Sequence, residues 1–310
     1  MKPRVLYLGY GGIGCFCLEQ ILDAGFDVVG VLCRASDRTE RPEASSSVFT
    51  TARLAGLHLF TATNPSDPGF VAEARSLAPD LLLSIQYDRI LKPALLSVPR
   101  HGAYNLHFGP LPRLRGCFPT KWAILDDEPA GVTFHCIDPG IDSGDLIDQT
   151  LVPLAPGETD ETLYGKLVEA GKELFVRQIP WMRKLAAPRR IPQDSARASY
   201  YPKRLPHDGV IDWSRGTAWA DRFLRAFTFP PFPAAKTWIE GMEVQLRAPV
   251  EIDPEPPGTP PGTFKLRGDG TLAVSCGDGS VLVRTVLVGG EEKPAASLAG
   301  TASRFTEPPS

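Results

Sequence analysis

"VLYLGYGGIGCF", residues 5–16, joins an apolar run to a helical pattern through Gly9, Gly11 and Gly14. The run reads as a strand, and the glycines permit a tight turn into the helix. Outward from this stretch the same alternation repeats. Strands are expected at 5–8, 27–32, 57–60, 80–85 and 102–108, with helices at 14–24, 46–55 and 69–78. Strands separated by helices of this length build βαβ units. The N-terminal half is therefore expected to be α/β, with a doubly wound, mainly parallel sheet. Ligands of such sheets bind beyond the carboxyl ends of the strands.

After Val152 the pattern changes. Residues 159–186 have the spacing of one long amphipathic helix, with Thr159 as N-cap, Asp160 and Glu161 in the first turn, and Pro180 as a kink or break. A polar linker follows at 189–205. From about residue 235, short alternating stretches between Gly and Pro clusters suggest a small β-barrel. The expected organisation is a first domain over 1–188, the linker, and a C-terminal barrel over 206–305.

Composition narrows the partners. Of 310 residues, 43% are hydrophobic and 22% charged, and the formal net charge is −3. A protein that grips nucleic acid through its phosphates carries a basic excess, which is missing here. The stretch after the second strand, "RASDRTERPEASSS", holds three Arg against two Glu and one Asp. No window reaches the 18 or so apolar residues of a membrane span, and no secretory leader pattern is present, so a cytoplasmic protein is expected. The six cysteines are scattered, which reads as free thiols, and no spacing suggests a metal site.

The opening glycines match the Gly-x-Gly-x-x-Gly spacing of dinucleotide-binding turns. Such turns pair with an acidic residue at the end of the second strand, where "VLCRASD" places Arg34. The loop is therefore read chiefly as a turn packing helix on sheet, without NAD(P). Its helix N-terminus, at Gly11 and Gly12, is left to meet an anionic part of an acceptor.

The chemistry concentrates in residues 105–145, "NLHFGPLPRLRGCFPTKWAILDDEPAGVTFHCIDPGIDSGD". Asn105 and His107 alternate on a strand end and so face one side of the sheet. Asp138, Asp142 and Asp145 follow in a Gly-rich loop. An amide, an imidazole and a carboxylate in one cleft suit acyl transfer: an oxyanion donor, a proton exchanger and its orienting charge.

This stretch resembles the signature of the 10-formyltetrahydrofolate-dependent formyltransferases: Asn-x-His, Leu-Pro, Arg-Gly, Gly-Val-Thr and a closing acidic loop. The resemblance extends from residue 3 to about 250. It implies a Rossmann-like catalytic domain followed by an oligonucleotide-fold-like barrel, with 10-formyltetrahydrofolate as co-substrate. By similarity Asn105, His107 and Asp142 match the catalytic trio. Arg89, Ile90, Leu91, Leu111 and Pro112 match one wall of the folate site, and Asp138, Pro139, Gly140 and Ile141 the other. Gly11, Gly12, Tyr87, Arg113 and Arg115 are candidates for the acceptor, while Trp122, Tyr200 and Tyr201 could stack on a base or sugar. Two departures stand out: Gly109 occupies the serine position of the family's Ser-Leu-Leu-Pro, and Cys117 follows the Arg-Gly pair.

The expected acceptor is a small-molecule amine, first a nucleotide-linked amino sugar. An amino-acid or hydroxyornithine-type natural-product precursor and methionyl-tRNA are the alternatives, followed by hydrolysis of the formyl donor. Nucleic acid and membrane are not expected partners, and a homodimer stays open.

Overall fold

The computed structural model describes residues 2–34, 47–62, 64–230, 232–248, 250–253, 258–298, 300, 303–306 and 308. The polar loop 35–46 lies outside them. The chain divides into two compact units, one of residues 1–117, 130–152 and 166–201, the other of residues 118–129, 153–165 and 202–310.

The first unit is built on β1 (Arg4–Gly9), α1 (Gly11–Asp23), β2 (Asp27–Cys33), α2 (Val48–Leu54), α3 (Pro68–Ser76), β3 (Leu81–Ile85), α4 (Pro93–Leu96) and β4 (Ala103–His107). The short β5 (Arg115–Gly116) follows; after α5 (Pro119–Asp126) of the second unit come β6 (Ala130–Cys136) and β7 (Leu146–Val152). The six long strands form one sheet in the order β2-β1-β3-β4-β6-β7. β2, β1, β3 and β4 are mutually parallel, β6 runs against them, and β7, antiparallel to β6, runs with them again at the far edge. The order turns between β1 and β3, so the carboxyl ends of β1, β3 and β4 flank the crevice that such sheets offer a ligand.

Alternation dictates which helix covers which face. Leu6, Leu8 and Leu82 pack with Phe70 and Ala74 of α3 and Leu95 of α4 in one cluster. Each fully buried side chain of this size contributes about 1.5–3 kcal/mol. Tyr7 points the other way, and its hydroxyl donates to the Gly14 carbonyl of α1 at 2.5 Å. A Cβ at Gly14 would lie 3.0 Å from the Val48 side chain of α2, so this glycine is spent on close packing. In the described structure Gly14 of the opening loop serves the packing of α1 against β1 and α2.

Two local expectations change. Residues 57–60 form a single bridge, Leu59 to Val31, rather than a full strand. Phe60 is the only one of the four that is buried, and one anchor does not make a two-faced strand. The long helix, α6 (Asp160–Lys184), continues through Pro180. Proline there costs roughly 3 kcal/mol, but Leu174, Phe175 and Met182 around it are fully buried and outweigh that cost. Its start follows the sequence: Thr159 Oγ1 accepts from the Thr162 N–H at 3.2 Å, and the Thr162 hydroxyl accepts from the Thr159 N–H at 3.0 Å.

Residues 189–201 are not a free tether. Ile191 bridges Leu146, and β8 (Tyr200–Tyr201) pairs with β5.

In the second unit, α7 (Thr217–Ala226) packs with α5. Two antiparallel sheets follow. One orders β16 (Glu291–Pro294), β15 (Thr285–Val288), β10 (Met242–Leu246) and β9 (Ala235–Ile239); the other β11 (Glu251–Asp253), β14 (Ser280–Val283), β13 (Leu272–Ser275) and β12 (Phe264–Leu266). The chain steps from one sheet to the other at Arg284. Near the C-terminus, Arg304 bridges Thr263 and Thr306 bridges Trp238 of β9, so one segment touches both sheets. Phe305 between them stacks on Trp213. The fold is thus a mainly parallel sheet with helices on its faces, followed by antiparallel sheets. Among the described residues no helix is long and apolar enough to cross a membrane.

Candidate active site

The site grows from one register. β4 runs antiparallel to β6 with Asn105 opposite His135 and His107 opposite Thr133. Directly opposed residues share a face, so Asn105, His107, Thr133 and His135 form a polar quartet on one side of the sheet. The residues that alternate with them, Tyr104 before Asn105 and Leu106 and Phe134 between them, are buried. Phe134 meets Phe175 of α6, with ring centres 6.2 Å apart. The alternation polar–apolar–polar on two neighbouring strands places a polar cluster over a solid apolar floor.

Asp142 closes the cluster. Its Oδ2 lies 3.6 Å from Nδ1 of His107, and its Oδ1 lies 3.6 Å from Nε2 of His135 and 3.5 Å from Nδ2 of Asn105. The residue adopts a left-handed backbone, φ 50, and its surroundings hold it there. The Gly116 N–H donates to Oδ2 at 2.8 Å, and Gln193 Nε2 donates to the carbonyls of Asp142 and Gly144 at 2.8 and 2.7 Å. Asp138 staples the same loop, accepting from the Ser143 hydroxyl at 2.7 Å and the Gly140 N–H at 3.1 Å.

Burial works against the charge of Asp142, yet His107 opposite it and the Gly116 N–H hold its carboxyl well below the usual carboxylate range. The sign follows from a depressed folded pKa. The ionised form stabilises the fold above the ordinary carboxylate value, near about 4, and that contribution disappears only as pH falls through the lower folded value.

His107 is oriented from its other nitrogen. Nε2 donates to the Leu114 carbonyl at 2.8 Å, which leaves Nδ1 toward Asp142. Gly109 makes this possible. A Cβ there would sit 2.5 Å from His107 Nε2 and 2.9 Å from the Leu114 carbonyl oxygen. The glycine at position 109 is therefore coupled to the ring position. The Gly109–Pro112 segment is fixed to the sheet: the Thr133 hydroxyl donates to the Gly109 carbonyl at 2.6 Å, and Gln149 Nε2 donates to the Leu111 carbonyl at 2.8 Å. Gly109→Ser is expected to lower turnover about a hundredfold, the scale of a misplacement near 1 Å, in a variant that still folds as judged by circular dichroism. Wild-type turnover in that variant would uncouple position 109 from the ring.

The remaining candidates separate by environment. Arg89 and Ile90 are exposed just beyond β3, with Ile90 presenting an apolar tip, while Leu91 is buried. Pro139, Gly140 and Ile141 are exposed on the loop before Asp142. Leu111 is buried, Pro112 and Arg113 half-buried. Tyr87 belongs to the apolar cluster, and burial, with Asp88 nearby, pushes its phenol up to about 12. Arg115 is engaged within the site's own frame: Nε and Nη2 donate to Gln193 Oε1 at 3.1 and 2.7 Å, so it braces the residue that holds the Asp142 loop. Gly12 is exposed at the start of α1. Nearby, the Arg34 guanidinium lies 4.3 Å over the Tyr10 ring and pairs with Asp88. Tyr200 is exposed; Trp122 lies in the second unit, its ring 6.3 Å from that of His207.

His135 and Gln193 were not among the expected site residues. For His135 a signal existed: "TFH" in β6 repeats the polar–apolar–polar spacing of "NLH" in β4. Gln193 sits in a polar stretch with no pattern of its own.

This arrangement of amide, imidazole and ionised carboxylate is equipped to stabilise an oxyanion and to move a proton beside it. Residues 12–179 match the family model described as formyl transferase, and residues 205–301 match the formyl transferase C-terminal domain. The chain belongs to the formyltransferase family and is a formyltransferase. It is 33% identical over 297 residues to a methionyl-tRNA formyltransferase of Methylacidiphilum infernorum, covering 94% of this chain and 92% of that protein. A methionyl-tRNA formyltransferase of Geobacter sulfurreducens is 29% identical over 300 residues, covering 94% and 90%. Among solved structures, the fold is similar to an N-formyltransferase from Helicobacter canadensis in complex with folinic acid and dTDP-3-aminofucose. There the TM-score is 0.69 at 24% identity, over 91% of this chain and 99% of that one. HypX from Aquifex aeolicus, in complex with tetrahydrofolic acid, gives a TM-score of 0.62 at 19% identity, over 97% of this chain and 47% of that one.

Proposed function

We propose that this enzyme moves the formyl group of 10-formyltetrahydrofolate to the amine of a nucleotide-linked amino sugar. The observation that carries the transfer chemistry is the convergence of Asn105, His107 and Asp142 within 3.6 Å contacts on one face of the sheet. A neutral acceptor amine attacks the formyl carbon, forming a C–N bond and a tetrahedral oxyanion. Asn105 and His107 stabilise that oxyanion, and the ionised Asp142 favours the charged imidazole. The bond to N10 then breaks, the proton lost by the amine passes to N10, and tetrahydrofolate leaves. The loop from Arg89 to Leu91 and the loop from Asp138 to Asp142 serve as the two walls for the pteridine. The N-terminus of α1, at Gly11 and Gly12, faces the anionic part of the acceptor.

The acceptor assignment rests on charge. A formal net charge of −3 and the mixed-sign loop after β2 suit a small anion better than a long polyanion. The likeness to the sugar-nucleotide complex supports it at the level of fold. One observation favours a second reading, formylation of methionyl-tRNA: the relatives at 29% and 33% identity carry that name over 94% of this chain. A single assay separates them. The protein is incubated with 10-formyltetrahydrofolate and, in turn, UDP- and dTDP-amino sugars, hydroxyornithine and charged methionyl-tRNA, and products are read by mass. A formyl gain on an amino sugar nucleotide, insensitive to salt, is expected. Gain on methionyl-tRNA alone, falling with salt, would replace this reading with the second.

A further inference from the structure

His135 has no part in the expected trio, yet its side chain is 2% exposed and its ring lies inside the cluster. Its Nδ1 is 2.8 Å from the Cys136 carbonyl oxygen. A carbonyl only accepts, so Nδ1 carries the proton. Nε2 faces Asn105 Nδ2 at 3.1 Å, and an amide nitrogen only donates. Nε2 is thus the acceptor of the Asn105 amide in this arrangement. The opposite amide orientation would set Asn105 Oδ1 against two acceptors at once, His135 Nε2 and the carboxylate of Asp142. We propose that His135 is a positioning residue: by committing Nδ1 to the backbone it presents a lone pair that fixes the orientation of the Asn105 amide. This rests on the reading of Asn105 as the oxyanion donor.

Two variants of the full chain test it. His135→Gln places an amide oxygen near the position of Nε2 and keeps an acceptor; His135→Leu keeps the bulk and removes it. In ¹⁵N-labelled protein the Asn105 side-chain amide pair, identified by its loss in Asn105→Ala, is expected to shift in the Leu variant and return toward wild type in the Gln variant. Turnover should fall about ten- to a hundredfold in the Leu variant at little change in KM, and stay within about threefold in the Gln variant. An unshifted amide pair in the Leu variant, or equal turnover in the two variants, would overturn the proposal. Normal turnover of Asn105→Ala would instead overturn the reading of the trio, while the amide signal would still report the contact with His135.

Discussion

Asp142→Asn is expected to reduce turnover by about a thousandfold while binding of a folate analogue stays within about threefold. The substitution preserves size and leaves an oxygen to accept from the Gly116 N–H, so the loop should hold. Two things are lost. The charge opposite His107 Nδ1 disappears, and with it the preference for a cationic ring beside the developing oxyanion. The new NH₂ also replaces the oxygen that sits 3.5 Å from Asn105 Nδ2 and 3.6 Å from His135 Nε2, setting donor against donor and competing for the one acceptor. Steady-state rates and calorimetric titration with 5-formyltetrahydrofolate check both halves. Near-wild-type turnover would remove Asp142 from the reaction, and lost folate binding would make it a wall residue only. Because the carboxyl is held well below the usual range, the wild-type enzyme should show no loss of rate from Asp142 between pH 5 and 9, roughly the window above the ordinary carboxylate value.

Much of this site is legible along one strand at a time. Asn105 and His107 share a face because strand side chains alternate, and Asp142 stands out in a glycine-rich loop after the next long strand. The first βαβ unit follows from apolar runs and glycines alone. What fails to show is whatever depends on pairing between distant segments. The place of His135 opposite Asn105 is a register between β4 and β6, some thirty positions apart in sequence. Nothing in the local pattern of either strand sets that offset. Gln193 reaches the Asp142 loop from a stretch whose composition reads as a linker, because the ladder that anchors it, β8 on β5, is only two residues long. Arg115 reads as a candidate for the acceptor, and its use on Gln193 is visible only once that stretch is in place. Pro180 reads as a break because its cost is local, whereas the burial that outweighs it comes from the fold.

The second large effect lies away from the reacting groups, at Lys121. This lysine of α5 is 1% exposed, and its Nζ donates to Asp160 Oδ2 at 2.6 Å and to the Ala226 carbonyl at 2.8 Å. The rings of Phe227 and Phe232 lie 4.7 and 4.9 Å from the ammonium. Burial pulls the lysine pKa down and Asp160 pulls it back up, with burial the larger effect. Asp160 is equally buried, and among the described residues its Oδ1 has no hydrogen-bond partner, so the charge of the carboxylate is balanced mainly by the one short contact with Lys121. Lys121→Met leaves that carboxylate without its cation in an apolar pocket. The expected loss is about 3–5 kcal/mol in urea unfolding of the full chain. Adding Asp160→Leu removes the stranded charge, and the double variant should recover most of that loss, since a buried pair and a well-packed apolar pair of similar volume are often equal in stability. The first turn of α6 favours a negative charge at position 160 by up to about 1 kcal/mol, which bounds what the leucine gives back. A single variant costing less than about 1 kcal/mol, or a double variant no better than the single, would mean that water or a shifted backbone already satisfies Asp160, and that the aromatic cage rather than the ion pair holds Lys121 in place.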